Sequence, residues 1–347
     1  MQFIDIGFNI TDDMFAGRYR GSRKHDSDLE GVIERARENG VTYFLCTGTD
    51  CKESAEAIAL CRKFNAKWEK PCCFATVGIH PTSSTKYRGE ESLSELRKLV
   101  EENRDIVKAF GELGLDAERT SWADLETQER AFKEQLMLAY ELGLPLFLHN
   151  RKTTVRFCEI LEETTEMYKL KASETKLKAS DMEASDMGSS DIPWGSCVTG
   201  SGLLPVSGVV HSFDGARDDA RRFIRLGLHI GVNGCGLREL CLHEVIRAGE
   251  IPVERLHFET DAPWCSIKKT HPSFDLIKWE IENLPVVKPE KHQSNVEEMV
   301  KGRCEPMHVR QVAECLYRLH EQGEPTREKY AQFCERIYRN SLQLFRF

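Results

Sequence analysis

Eight short apolar segments recur along the chain, each followed by a polar or glycine-bearing turn and then by a helical pattern. They are Phe3–Ile6, Val41–Cys46, Cys72–Val77, Ile106–Phe110, Leu144–Leu148, Gly208–Val210, Leu228–Val232 and Arg255–Phe258. Most are short continuous runs rich in Val, Ile, Phe and Leu, as strands buried on both faces of a parallel sheet should be. The stretches between them are amphipathic. Leu29, Val32, Ile33 and Ala36 repeat at helical spacing up to the stop signal Asn39-Gly40, and Phe132, Leu136, Ala139 and Tyr140 trace a second stripe ending at Gly143. Further helices are expected near 52–65, 91–103, 153–163, 216–226, 237–248, 307–321 and 326–340. Alternating strand and helix with right-handed crossovers gives a parallel sheet. Eight repeats point to a closed (β/α)8 TIM-type barrel. A doubly wound open sheet is the runner-up, but no GxGxxG follows the first strand.

The 347 residues suit either two ordinary domains or one large barrel. The eight repeats favour one barrel over 1–347, interrupted once. From about 166 to 206 the rhythm breaks into low complexity, where KLKAS occurs twice and then ASDM occurs twice. Between Glu162 and Asp191 eight acidic residues face four lysines, so this span supplies about half of the formal charge of −8. The segment is expected to be a solvated, partly flexible insertion between the fifth helix and the sixth strand, at the face opposite the active site.

The acidic balance argues against tight, nonspecific coating of duplex DNA. The sequence has no apolar run of membrane-spanning length and no basic, apolar leader at Met1. A cytoplasmic or nuclear location is therefore expected, with no membrane contact and no obligate protein partner. The thirteen cysteines are scattered without a CxxC pair, so neither a disulfide framework nor a zinc ribbon is expected. Cys46, Cys73, Cys158 and Cys235 read as small buried thiols.

The polar residues at the C-terminal strand ends carry the chemistry, because that rim is where barrel enzymes assemble their sites. These ends hold Asp5 and Asn9, His80, Glu112, His149 and Arg151, His211, and Asp261 with Trp264. In a closed barrel their side chains converge on one axis although they are far apart in sequence. Imidazoles and carboxylates gathered there without a cation would carry uncompensated buried charge, which is expensive, and a divalent metal removes that cost. The mixed donor set does not name the metal. A carboxylate such as that of Glu112 could bridge two ions about 3.5–4 Å apart, the arrangement used in phosphoryl displacement. No GxSxG elbow accompanies Ser212, so a serine hydrolase is not indicated.

The motifs DIGFNITD, VGIHP, GELGLD, LFLHNR, VVHSFDG and ETDAPW, then RCEP at Arg303–Pro306 and the closing Asn340-Ser341, follow one another along the chain. In this order they resemble the TatD family of metal-dependent deoxyribonucleases, within the broader amidohydrolase-like barrel group. The resemblance covers nearly everything apart from 166–206, and the DIGxN opening is most similar to the branch of bacterial TatD and its eukaryotic relatives. It implies that Glu112 bridges two ions, that His149 and His211 hold one, and that Asp261 holds the other and takes a proton from the attacking water. It further implies that His80 contacts the phosphate or positions the leaving group, that Arg151 reaches the same phosphate, and that Asp5 and Asn9 line the floor at strand one. Trp264 is placed to stack a base.

Two departures matter. Many relatives carry His-x-His on strand one, where this chain has Gly7-Phe8-Asn9, and the loss of two nitrogen donors favours magnesium or manganese over tight zinc. Whether one or two ions are bound stays open. Cys304 stands where the family usually has asparagine and reads as variation in a loop-capping motif. The expected activity is divalent-metal-dependent hydrolysis of DNA, 3′-5′ on single-stranded ends. A metal-dependent ester or amide hydrolase, such as an aminoacyl-ester deacylase, and a non-enzymatic scaffold are the alternatives.

Overall fold

The computed structural model describes residues 1–181, 204–280, 283–294 and 297–347. All eight predicted strands form. They are β1 (Phe3–Phe8), β2 (Val41–Cys46), β3 (Cys73–Val77), β4 (Val107–Asp116), β5 (Leu146–Arg151), β6 (Gly208–Val210), β7 (His229–Val232) and β8 (Leu256–Phe258). They pair in chain order as one eight-stranded sheet, every ladder parallel. A parallel bridge between Phe8 and Ala262 joins the first strand to the end of the last. Asp261 N donates to Gly7 O at 2.8 Å and Asn9 N to Ala262 O at 3.0 Å, so the seam closes at the C-terminal rim.

The helices surround the sheet as α1 (Leu29–Glu38), α2 (Cys51–Asn65), α3 (Glu90–Glu102), α4 (Leu125–Leu142), α5 (Thr154–Asp181), α6 (Arg217–Arg225), α7 (Leu240–Arg247), α8 (Val309–His320) and α9 (Arg327–Phe345). Their ends follow local chemistry. Asp50 caps α2 by accepting from Glu53 N, Asp124 caps α4 by accepting from Thr127 N, and Gly143 ends α4 in the left-handed conformation. Ile4, Ile6, Leu45, Phe74, Ala109, Phe147 and Val209, from six successive strands, fill the barrel interior with Leu344 and Phe345 of α9. Asn340 pins α9 to the last strand by donating to Val253 O and Leu256 O, and Ser341 Oγ bonds His257 Nδ1 at 2.8 Å. The closing Asn-Ser pair is thus an anchor for β8, far from the catalytic rim.

The structure corrects two expectations. Helix α5 does not stop near 163 but runs on to Asp181 through the first part of the low-complexity stretch. Lys, Leu, Ala and Glu favour helix there, and no glycine or proline interrupts them before Gly188. Phe157, Ile160 and Leu161 are buried, whereas Met167 and Leu170 are exposed, so the helix leaves the core as it continues. The remainder of the insertion, 182–203, lies outside the described residues. Cys235 is not a buried free thiol. It is bonded to Cys265, with the Cα atoms 4.7 Å apart, because the loops after β7 and β8 cross closely at Gly234. Among the described residues no helix is long and apolar enough to cross a membrane.

Candidate metal centre

Glu112 lies at an irregularity in β4. The β4–β5 register shifts between Gly111 and Leu113, and Glu112 N donates across to Gly48 O at 2.9 Å. Gly111 and Gly114 have φ of 152° and 150°. A Cβ on either would fall 2.1 Å from Phe147 O or 1.8 Å from His149 O, so only glycine lets β4 approach β5 this closely. The GELG motif is therefore a backbone device that sets the glutamate carboxylate into the mouth of the barrel.

Three imidazoles converge on that carboxylate. Glu112 Oε1 lies 2.7 Å from His211 Nε2, 2.8 Å from His149 Nδ1 and 3.2 Å from His80 Nε2, and all four side chains are buried. The second nitrogens of His149 and His80 meet hydrogen-bond partners, whereas that of His211 lies near a carboxylate without a hydrogen bond. His149 Nε2 is 3.3 Å from Asp116 Oδ2, and His211 Nδ1 is 3.7 Å from Glu259 Oε2. His80 Nδ1 accepts from Thr82 N at 3.1 Å and lies 2.7 Å from Thr82 Oγ1.

These outer partners separate the roles of the rings. A carboxylate draws the ring proton outward and leaves the inner nitrogen a bare lone pair, as a metal ligand requires. In this structure the inner nitrogens of His149 and His211 lie at hydrogen-bond distance from Glu112 Oε1 and donate to it, with Asp116 and Glu259 standing behind the two rings. A backbone N–H on His80 Nδ1 does the reverse, placing the proton on Nε2 as a donor into the site. The donor set fits a divalent cation on chemical grounds. Ligand atoms of His80, Glu112 and His149 lie within 4.8 Å of one another, so His80 is itself placed as a candidate donor beside His149.

Charge follows the same geometry. Burial works to raise the Glu112 carboxyl, but His211, His80 and His149 outweigh it and hold it well below the usual carboxylate range. Burial lowers His80. It also works against charged His149 and His211, yet Asp116 and Glu112 raise the first, and Glu112 with Glu259 raise the second well above its ordinary value.

Asp261 stands at the end of β8 in a left-handed conformation, φ 54°, which aspartate tolerates better than most residues. Asn9 Nδ2 holds its side chain, donating to Asp261 Oδ1 at 2.8 Å and to Ala262 O at 3.2 Å. Burial pushes the Asp261 carboxyl up to about 6, against the pull of His211 and with Glu259 and Glu112 adding to the rise. Asp5 is fully buried beneath, accepting from Thr260 N, Thr260 Oγ1 and Gly7 N, and burial pushes it up to about 8. It is a strut under the Glu259–Asp261 segment.

Of the predicted site residues, His80, Glu112, His149 and His211 meet directly, and Asp261 stands in their field without touching them. Asn9 holds Asp261. Arg151 sits on the rim in long ion pairs, 3.6 Å to Glu118 and 4.0 Å to Asp214, and Trp264 is 50% exposed. Sequence reasoning missed Asp116 and Glu259 as ring anchors. Both stand two or four positions from a predicted site residue, Glu259 before Asp261 and Asp116 after Glu112, and the period of two on a strand was the available signal.

A second group, His25, Asp28 and His292, also brings metal-type atoms together. Its carboxylate is already engaged by Arg303 and by His292 Nε2 at 2.9 Å, with Arg35 at 3.9 Å. Two guanidiniums beside that carboxylate oppose a cation. This group belongs to a buried ion network in which Arg303 and Arg35 both also pair with Glu305. The RCEP motif thus ties the start of α1 to the rim, and Cys304 N donates to Pro263 O at 2.9 Å.

A closed parallel barrel with imidazoles and carboxylates gathered at its C-terminal strand ends is the architecture of amidohydrolase-like metal-dependent hydrolases. Residues 4–346 match the family model described as TatD related DNase, and the chain belongs to that family. It is 33% identical over 351 residues to Deoxyribonuclease Tat-D of Schizosaccharomyces pombe, covering 99% of this chain and 96% of that one. It is 36% identical over 273 residues to a 3′-5′ ssDNA/RNA exonuclease TatD of a Pantoea species, covering 77% and 82%. The crystal structure of a TatD family hydrolase from Entamoeba histolytica superposes with a TM-score of 0.79 at 31% identity, covering 99% and 98%.

Proposed function

We propose that the chain hydrolyses phosphodiester bonds in DNA, trimming single-stranded 3′ ends, with one or two divalent cations at the barrel mouth. The observation that carries this reading is the gathering of three buried imidazoles around the Glu112 carboxylate at the C-terminal strand ends, with the Asp261 carboxylate beside them. The polarity and the single-stranded substrate are drawn from the Pantoea relative, which is named for that activity.

Glu112, His149 and His211 would hold one ion, and Glu112 with Asp261 the other. Manganese accepts imidazole and carboxylate alike, magnesium is the next candidate, and the missing His-x-His on β1 argues against tight zinc. A bound divalent cation supplies a water that ionises near neutral pH and neutralises charge on the phosphate. Asp261 takes the proton of the attacking water on Oδ2, since Asn9 holds Oδ1. His80 Nε2–H donates to a phosphate or leaving oxygen. Arg151, held only by long ion pairs, swings to a nonbridging oxygen, and the exposed Trp264 indole stacks an unpaired base.

Digestion of 3′- and 5′-labelled single-stranded DNA in added manganese or magnesium tests the reading. Loss of label from the 3′ end first is expected. Inert DNA together with cleavage of an aminoacyl ester would replace the nuclease by an ester hydrolase.

A further inference from the structure

Beside Asp261 the loops after β7 and β8 enclose a cleft of about 240 Å³. Arg238 lies on one wall, Trp264 and Lys268 on the other, and the bonded pair Cys235–Cys265 links the two. The cleft adjoins the catalytic carboxylate. Cys265 Sγ lies 3.4 Å from Asp261 Oδ2, and Trp264 N donates to Asp261 O at 2.9 Å. Among the described residues no acidic side chain lines it, although the chain as a whole carries 56 acidic residues against 48 basic ones. Arg238 and Lys268 are exposed, and among the described residues neither forms an ion pair. On a surface where most other arginines are matched by carboxylates, two free cations and a half-exposed indole around one recess are a selective arrangement.

We propose that this cleft is the subsite for the nucleotide flanking the scissile bond, with Arg238 and Lys268 gripping its phosphate while Trp264 stacks on its base. The inference rests on the phosphodiester reading above and adds to it the residues that bind the polymer beyond the reacting phosphate. Two cations converging on one recess match a backbone phosphate, and an indole at its edge matches the face of any base. An indole face and backbone-phosphate cations read no base edge, so the subsite would take an unpaired strand without regard to sequence. The Cys235–Cys265 bond joins the two walls that carry these cations.

The test compares wild type, Arg238→Ala with Lys268→Ala, and the charge-keeping Arg238→Lys with Lys268→Arg, on single-stranded oligothymidylate in manganese. The alanine pair is expected to raise KM about tenfold or more with little change in kcat, and to lower the slope of log KM against log salt by ~0.7 per cation removed. The charge-keeping pair should restore most of the affinity, which a fold defect would not allow. If the wild type cleaves the oligomer and the alanine pair keeps the wild-type KM and salt slope, the subsite is overturned and the nuclease reading stands. If the wild type does not cleave it at all, the nuclease reading falls and the subsite falls with it.

Discussion

Asn9 at the end of β1 donates its Nδ2 to Asp261 Oδ1 at 2.8 Å, across the seam where the first and last strands of the barrel meet. The bond spans 252 residues of sequence and holds a carboxylate whose backbone is in the left-handed region, φ 54°. The Asn9 amide thus adds a side-chain hold on the Asp261 carboxylate to the backbone bonds that close the seam.

Asn9→Ala removes that hold while leaving the ring cluster in place. Its kcat on single-stranded DNA is expected to fall about 10–100-fold with little change in KM, the usual scale for losing a group that orients an active residue. Steady-state kinetics on the labelled strand check this, and a KM change with kcat intact would instead make Asn9 a substrate contact.

Asp116→Asn and Glu259→Gln test the anchoring of the rings. Each removes the carboxylate charge behind a metal-facing imidazole, so manganese affinity should weaken about 10–100-fold in both. Titration of the chelator-stripped variants measures it, with circular dichroism confirming the fold.

Much of this site was legible in the sequence because it sits on strand ends, and strand ends were marked by apolar runs that stop at a polar residue. His80, Glu112, His149, His211 and Asp261 were found that way. What the sequence could not show is which neighbour each ring nitrogen meets, since Thr82, Asp116 and Glu259 act through distances that only the closed barrel sets. The buried network around Arg303 was equally hidden. Asp28, Arg35 and Glu305 are separated by up to 277 positions, and each alone reads as an ordinary surface charge. Cys235 failed for the same reason, its partner being supplied by a loop crossing.

Glu305→Ala would leave two buried guanidiniums, Arg35 and Arg303, short of a carboxylate. Breaking a buried pair from one side costs about 3–5 kcal/mol. Urea unfolding should show a loss of that order, whereas replacement of an exposed pair such as Arg336–Glu254 should change stability by less than about 1 kcal/mol.

Asp28 sets a pH dependence. Burial works to raise its carboxyl, but hydrogen bonds and charge from Arg303, with His292 adding, hold it below its ordinary value. A depressed folded-state value stabilises the fold above the unfolded pKa of about 3.9 and is lost as pH falls through the folded value. Asp28→Asn should therefore be less stable than wild type at pH 7, with the gap narrowing below about pH 4. Urea midpoints across pH measure the difference, and a gap that stays constant into acid would assign the loss to packing alone.

On the proposed assignment His149 and His211 bind the cation and His80 donates a proton into the site. The most direct test of that assignment is manganese titration of chelator-stripped wild type, His149→Ala and His80→Ala. The expected result is an affinity about 100-fold weaker or worse in His149→Ala and within a few-fold of wild type in His80→Ala. Equal losses in the two variants would contradict it.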